Sequence, residues 1–154
     1  MRQSRRNQEA HRQTPRGILG LKEVLDTRFL TEHFYSDQAQ TKQKTARKLR
    51  ELTSRNEGIL PTIVISEVIQ ITCEKRGKEL AETRYHALME SGLQIQNLTP
   101  TIAKQAGLIK CQHKNIPMGD CIIAATAITS QARILSDDPH YDTIKETKCT
   151  WIQT

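Results

Sequence analysis

Four acidic residues stand where a carboxylate needs an explanation. Asp26 ends the apolar pair Val24-Leu25, and Glu67 interrupts the apolar stretch 63–71. Asp120 precedes Cys121-Ile122-Ile123-Ala124-Ala125, and Asp138 follows Ile134-Leu135-Ser136-Asp137. Each adjoins an expected strand end or helix start. In an alternating α/β fold, the carboxyl ends of strands and the helix starts that follow them gather along one edge of the sheet. Carboxylates collected there repel one another unless a cation neutralises them, and hard ions such as Mg²⁺ or Mn²⁺ select oxygen ligands. A carboxylate-held metal in a basic protein points to hydrolysis of a nucleic-acid phosphodiester.

Each acid also has a plainer reading. Asp26 and Asp120 are placed to cap the helices that follow, satisfying free backbone N–H groups. Asp138 precedes Pro139, a common turn pair. Glu67 is harder to dismiss, because an unpaired carboxylate inside an apolar run is costly to bury. Four independent caps need not share a sheet edge, whereas these four are placed to do so. Thr27 and Ser136 lie beside the acids and could bond ligand oxygens or water, although each is equally an ordinary cap or turn residue.

The elements that must position these residues follow in order. Residues 22–26 read as a strand ending in Asp26, and 27–36 as a helix. Residues 38–55 form a polar helix with Ala46, Leu49 and Leu52 at helical spacing, and Ile59-Leu60 a short strand. Residues 62–73 are ambiguous: β-branched content favours a strand, while Pro61 at a first helical position favours a helix. A helix at 78–89 is stopped by Gly92, and 93–98 alternates as a strand. Thr99-Pro100 opens a helix to about His113. A helix starts at Gly119-Asp120 and ends near Gln131, and strands are expected at 133–135 and 149–152. This alternation implies right-handed crossovers and a parallel sheet.

A chain of 154 residues with 36% hydrophobic and 26% charged residues is one domain with a polar surface. No apolar run approaches the ~20 residues that cross a bilayer, and the N-terminus lacks the apolar core of a secretory signal. A cytoplasmic protein without membrane contact is expected. Residues 1–20 carry five arginines against Glu9 alone, so +4 of the net +6 lies there. That basic extension is expected to be disordered, either an inert tail, a start codon assigned too early, or an RNA contact acting by counterion release. The folded domain is then 21–154. A second basic cluster, Lys42, Lys44, Arg47, Lys48 and Arg50, is either a solvated helix face or an RNA contact. Cys73, Cys111, Cys121 and Cys149 show no paired metal-ligand spacing, so free thiols are expected.

Taken in order, Val24-Leu25-Asp26-Thr27, Ser66-Glu67-Val68, Gly119-Asp120-Cys121-Ile122-Ile123-Ala124-Ala125-Thr126-Ala127 and Ile134-Leu135-Ser136-Asp137-Asp138-Pro139-His140-Tyr141 resemble the PIN-domain ribonucleases, particularly the stand-alone VapC-type toxins. The family writes the third piece as an Asp-x-x-Ile-Ala-Ala-x-Ala helix and the fourth as a Thr-x-Asp turn closing on an aromatic. The resemblance implies a three-layer α/β/α domain with a parallel sheet of four or five strands, and it makes 62–73 a helix. It implies a metal-dependent endoribonuclease cleaving single-stranded RNA, with Asp26, Glu67, Asp120 and Asp138 as catalytic ligands of one or two Mg²⁺ or Mn²⁺ ions. A small antitoxin and a homodimer are the implied partners. The other readings are a stand-alone endonuclease processing ribosomal or transfer RNA, and an inactive RNA-binding module.

Three departures accompany the resemblance. Ser136 replaces the usual Thr, and His140 stands where many members carry another acid. Arg28 replaces a small residue and brings its charge toward the substrate path, which with Lys42, Lys44 and Arg47 makes it a candidate RNA contact. Asp137 is placed to share the work of Asp138.

Overall fold

The computed structural model describes residues 20–152. The basic extension expected to be disordered lies almost wholly outside them. Five short strands form one parallel sheet: β1 (Glu23–Leu25), β2 (Gly58–Pro61), β3 (Gln94–Gln96), β4 (Arg133–Leu135) and β5 (Cys149–Thr150). Six helices connect them: α1 (Thr27–Tyr35), α2 (Ala39–Arg55), α3 (Thr62–Arg76), α4 (Lys78–Met89), α5 (Pro100–Gln112) and α6 (Met118–Thr129). A 3-10 turn at Pro139–Thr143 leads from β4 to β5. The result is the three-layer α/β/α arrangement expected from the alternation.

The sheet order is β3-β2-β1-β4-β5. The chain steps outward from β1 through β2 to β3, then returns over α5 and α6 to place β4 on the other side of β1. Leu25 of β1 pairs in register with Leu135 of β4. The order therefore reverses between these two strands, and a crevice opens at their carboxyl ends. Asp26 follows one strand and Ser136 to Asp138 the other.

The strands are short because the core is filled mainly by helices. Residues 121–127 of α6 are all buried, so this helix is apolar all round and lies at the centre of the domain. The ambiguous stretch 62–73 is helical. Val64, Val68 and Thr72 are its buried residues, four apart on one stripe. Thr99 caps α5 as expected, its hydroxyl accepting from the N–H of Ile102, with Pro100 at the first position. The four cysteines are free, and only Cys121 is buried.

Several boundaries differ from the sequence reading: β1 spans 23–25 rather than 22–26, β3 spans 94–96 rather than 93–98, and α3 runs on to Arg76. The last strand stops at Thr150 rather than 152. α6 starts at Met118, after Pro117, so Asp120 is its third residue and not its cap.

Candidate active site

The reversal of strand order brings the four acids together. Asp26 is 3% exposed, yet it makes no capping bond to α1. Its carboxylate is held sideways instead: Ser136 Oγ donates to Oδ2 at 2.6 Å, and Tyr141 OH donates to Oδ1 at 3.0 Å. Burial raises the Asp26 pKa above the ordinary range, the two hydroxyls pull it back in part, and the Asp120 charge raises it further. Ser136 also accepts from the N–H of Asp138 at 3.1 Å, so one hydroxyl ties β1 to the turn after β4.

Glu67 reaches the same place from α3. Its pKa is raised by burial, then by the charges of Asp120 and Asp26. Oε1 is buried without a hydrogen-bond partner, and so is the nearby Thr27 Oγ1. Gly119 makes the approach possible: a Cβ added there would lie 2.9 Å from Glu67 Oε1. The glycine before Asp120 therefore leaves room for the second acid, a role that its place in the motif does not explain.

Asp120 projects from the first turn of α6. His140 Nδ1 lies 2.7 Å from its Oδ2 and 3.4 Å from Asp138 Oδ1. One ligand atom from each of these three residues fits within 4.8 Å of the others. Burial raises the Asp120 pKa, the hydrogen bond from His140 lowers it, and the Asp138 charge raises it again. The hydrogen bond to Asp120 raises the imidazole pKa in turn. Asp138 keeps its turn role as well, since Oδ1 accepts from the N–H of His140 at 2.9 Å. For Asp138 the plain reading and the cluster reading both hold.

Several expectations need correction. Asp120 lies inside the first turn of α6, and Asp26 holds the N-cap position of α1 without a side-chain cap bond. Ser136 bonds the Asp26 carboxylate and, as a turn residue, also the N–H of Asp138. Asp137 does not join the cluster: its carboxylate takes Arg28 Nε at 2.6 Å, which also places Arg28 at the rim. The basic residues of α2 divide, because helical spacing separates them. Lys44 and Arg47 line open pockets beside the sheet, whereas Lys42 lies near His33, whose pKa burial lowers and Arg84 and Lys42 lower further. His140, Tyr141 and Gly119 are site residues that composition and spacing did not single out. Tyr141 is 1% exposed, and burial together with Asp26 raises its phenol pKa far above the ordinary value, so it stays a donor.

The arrangement gathers acidic oxygens with one imidazole, His140, against them. Among the described residues, no lysine or arginine forms an ion pair with Asp26, Glu67, Asp120 or Asp138. The donor set, carboxylates with one imidazole and two unpartnered buried oxygens, fits a hard divalent cation.

Solved structures of similar fold come from bacterial complexes and toxins. VapBC2 of Rickettsia felis, bound to a promoter DNA fragment, aligns with a TM-score of 0.70 at 16% identity, over 86% of this chain and 100% of that one. FitAcB of Neisseria gonorrhoeae aligns with a TM-score of 0.64 at 18% identity, over 82% and 95%. VapC20 of Mycobacterium tuberculosis, a toxin that cleaves the sarcin-ricin loop, aligns with a TM-score of 0.64 at 13% identity, over 80% and 95%. No curated protein matches the sequence. The PIN domain family model matches residues 24–146, from the first strand past the 3-10 turn and across all four acids, and the chain belongs to that family.

Proposed function

We propose that this protein is a metal-dependent endoribonuclease acting on single-stranded RNA, the toxin of a toxin–antitoxin pair. The observation that carries this reading is a cluster of four carboxylates, three of them (Asp26, Glu67 and Asp120) with raised pKa values, against which the described residues set one imidazole and no lysine or arginine. A structural cluster would recruit a lysine or arginine. A site that takes a cation has reason to leave its charge open.

Asp26, Glu67, Asp120 and Asp138 would hold one or two Mg²⁺ or Mn²⁺ ions, with His140 beside Asp120 and Asp138. When bound, such an ion supplies an activated water and charge stabilisation at phosphorus. The chain's own residues hold the geometry. Ser136 and Tyr141 fix the Asp26 carboxylate through both oxygens, and Gly119 clears the path of Glu67. His140 keeps its Nδ1 proton directed at Asp120. Arg28, anchored by Asp137, sits where an entering phosphate passes. Thr27, buried beside Glu67, lowers the pKa of that carboxyl through its hydroxyl.

The toxin assignment draws on the similar folds, which include complexes named VapBC and a Klebsiella pneumoniae toxin-antitoxin complex. A small antitoxin and a second copy of the chain are the proposed protein partners. The exposed Ile95, Leu98 and Leu108 leave apolar surface for them. A short reading frame just upstream, encoding a small DNA-binding protein, would favour the toxin over an RNA-processing enzyme. The biochemical test is incubation with total RNA under Mg²⁺, Mn²⁺ and chelator, for wild type and Asp120→Asn. Cleavage by wild type with metal, abolished by chelator and by the substitution, supports the reading. Equal cleavage by both proteins overturns it.

A further inference from the structure

Three open pockets run end to end from the rim of the acid cluster across α2. The first, about 210 Å³, is bounded by Arg28, Asp137, Lys44 and Trp151. It shares Lys44 and Trp151 with a second of about 320 Å³, whose walls add Arg47, Lys48 and Arg133. Lys44 and Arg47 continue into a third with Arg50.

The charge along this track is not balanced. Asp137 and Glu32 of the first pocket both lie against Arg28, at 2.6 and 3.8 Å, Glu23 is taken by Lys48 at 2.6 Å, and Glu51 pairs with Arg55 at 3.1 Å. Lys44, Arg47, Arg50 and Arg133 enter no ion pair among the described residues, so four cations face the two larger pockets. Between them and the rim stands Trp151, half-buried, its ring meeting Phe29 edge to face at 6.2 Å and 87°. Phe29 is fully buried, so the indole is anchored on the core while part of it remains open to the pockets. An anchored aromatic between unpaired cations has the composition of a single-strand nucleic-acid platform, with a face for a base and charges for its phosphates.

We infer that single-stranded RNA leaves the acid cluster past Arg28, stacks one base on Trp151, and sets its next phosphates against Lys44, Arg47 and Arg133. This rests on the ribonuclease reading above and assigns that site its strand-binding track. It also answers a difficulty of the composition, since aromatic residues make up only 4% of the chain. One correctly placed indole suffices. An acidic protein segment would be drawn to the same cations but has no base for the indole, so RNA is the occupant the pocket favours.

Trp151 is the only tryptophan, so its emission reports on this pocket alone. The full chain, in chelator, is titrated with a mixed-sequence twelve-nucleotide RNA carrying 2′-O-methyl groups. Quenching of Trp151 emission is expected on binding. Lys44→Ala with Arg47→Ala should weaken binding roughly tenfold or more and lower the salt slope by about 1.4, at about 0.7 per phosphate contact. These residues lie on a solvent-facing helix stripe, so the variant is expected to fold, and circular dichroism checks this. An abasic strand should bind more weakly and quench little. A wild type that cleaves RNA while its emission and its Lys44/Arg47 variant's affinity stay unchanged overturns the track and leaves the ribonuclease reading intact. Quenching without any cleavage by wild type keeps the track and overturns the ribonuclease. An acidic peptide that displaces the RNA with equal affinity overturns the track in favour of a protein partner.

Discussion

The two ends of β1 treat a buried carboxylate in opposite ways. At its start, Glu23 is 6% exposed and fully answered: Lys48 Nζ lies 2.6 Å from Oε2, and Thr150 donates its hydroxyl to Oε1. Three residues later, Asp26 is as deeply buried but receives only neutral donors, the hydroxyls of Ser136 and Tyr141 and the backbone of Thr27, while the charges of Asp120 and Glu67 lie near it. Removing one partner of a buried pair is costly, because the other is left uncompensated. The first end is organised for stability. The second leaves carboxylates near one another with no lysine or arginine among the described residues, as the proposed metal site would need.

The sharpest way to break the comparison is Asp120→Asn. It removes one charge from the acid cluster and keeps the side chain's size. Cleavage should fall by more than the ~10–100-fold typical of groups that merely orient a metal ligand. The melting temperature in chelator should hold or rise, because a repulsive charge is gone. Rates with Mn²⁺ and thermal melts check both halves; a lower melting temperature with normal cleavage would make Asp120 structural.

At the other end of β1, Glu23→Gln should act with the opposite sign on stability. It leaves the Lys48 ammonium without its partner, and urea unfolding should show a loss of about 2 kcal/mol, less than for a fully buried pair because Lys48 is 24% exposed. No loss would mean that the pair contributes nothing, and the contrast would collapse.

Gly119→Ala sharpens the geometry at the active end. The new methyl would meet Glu67 Oε1 at 2.9 Å, so the carboxylate must turn aside. Activity should fall roughly tenfold, about 1.4 kcal/mol in the barrier. Stability should hold, since alanine is the better helix former by up to about 1 kcal/mol. Unchanged activity would remove Glu67 from the reacting geometry.

The smallest effect is in pH. Asp26, Glu67 and Asp120 have folded pKa values raised above their ordinary 3.8 to 4.5. Their contribution to stability is fully present below that range and is lost as pH rises through the raised folded values. His140, raised above 6.5 by Asp120, has the same sign. His33 has the opposite sign, because its folded pKa is lowered, so the useful quantity is wild type minus Asp120→Asn. In chelator, wild type should lose melting temperature relative to the variant from pH 4 to pH 8, and Mn²⁺ should reverse the trend. A flat difference would show that the acids do not interact.

Much of the fold was legible before any coordinates. The caps and turns are local: Thr99 with Pro100, and Asp138 with Pro139, act within three residues along the chain. The stretch 62–73 was not legible from its own residues. Its β-branched content and its helical stripe conflict, and burial of Val64, Val68 and Thr72 decided the matter. The four acids could be singled out because a carboxylate beside apolar sequence is conspicuous. Their hydrogen-bond partners could not, since Tyr141 meets Asp26 across 115 residues.

The sequence by itself determined the alternation of elements, the Thr99 cap, the basic surface of α2, and the four places where an acid is out of keeping with its neighbours. These follow from periodicity and local chemistry, which need no partner from elsewhere in the chain. Only the tertiary structure decided which acids remain unneutralised. Asp137 and Asp138 are adjacent, yet one is taken by Arg28 and the other faces Asp120 and His140. Glu23 opens β1 and Asp26 directly follows it, yet only one receives a lysine. The reason is geometric: an ion pair forms over a few ångströms, and the order of strands sets which distant side chains come that close.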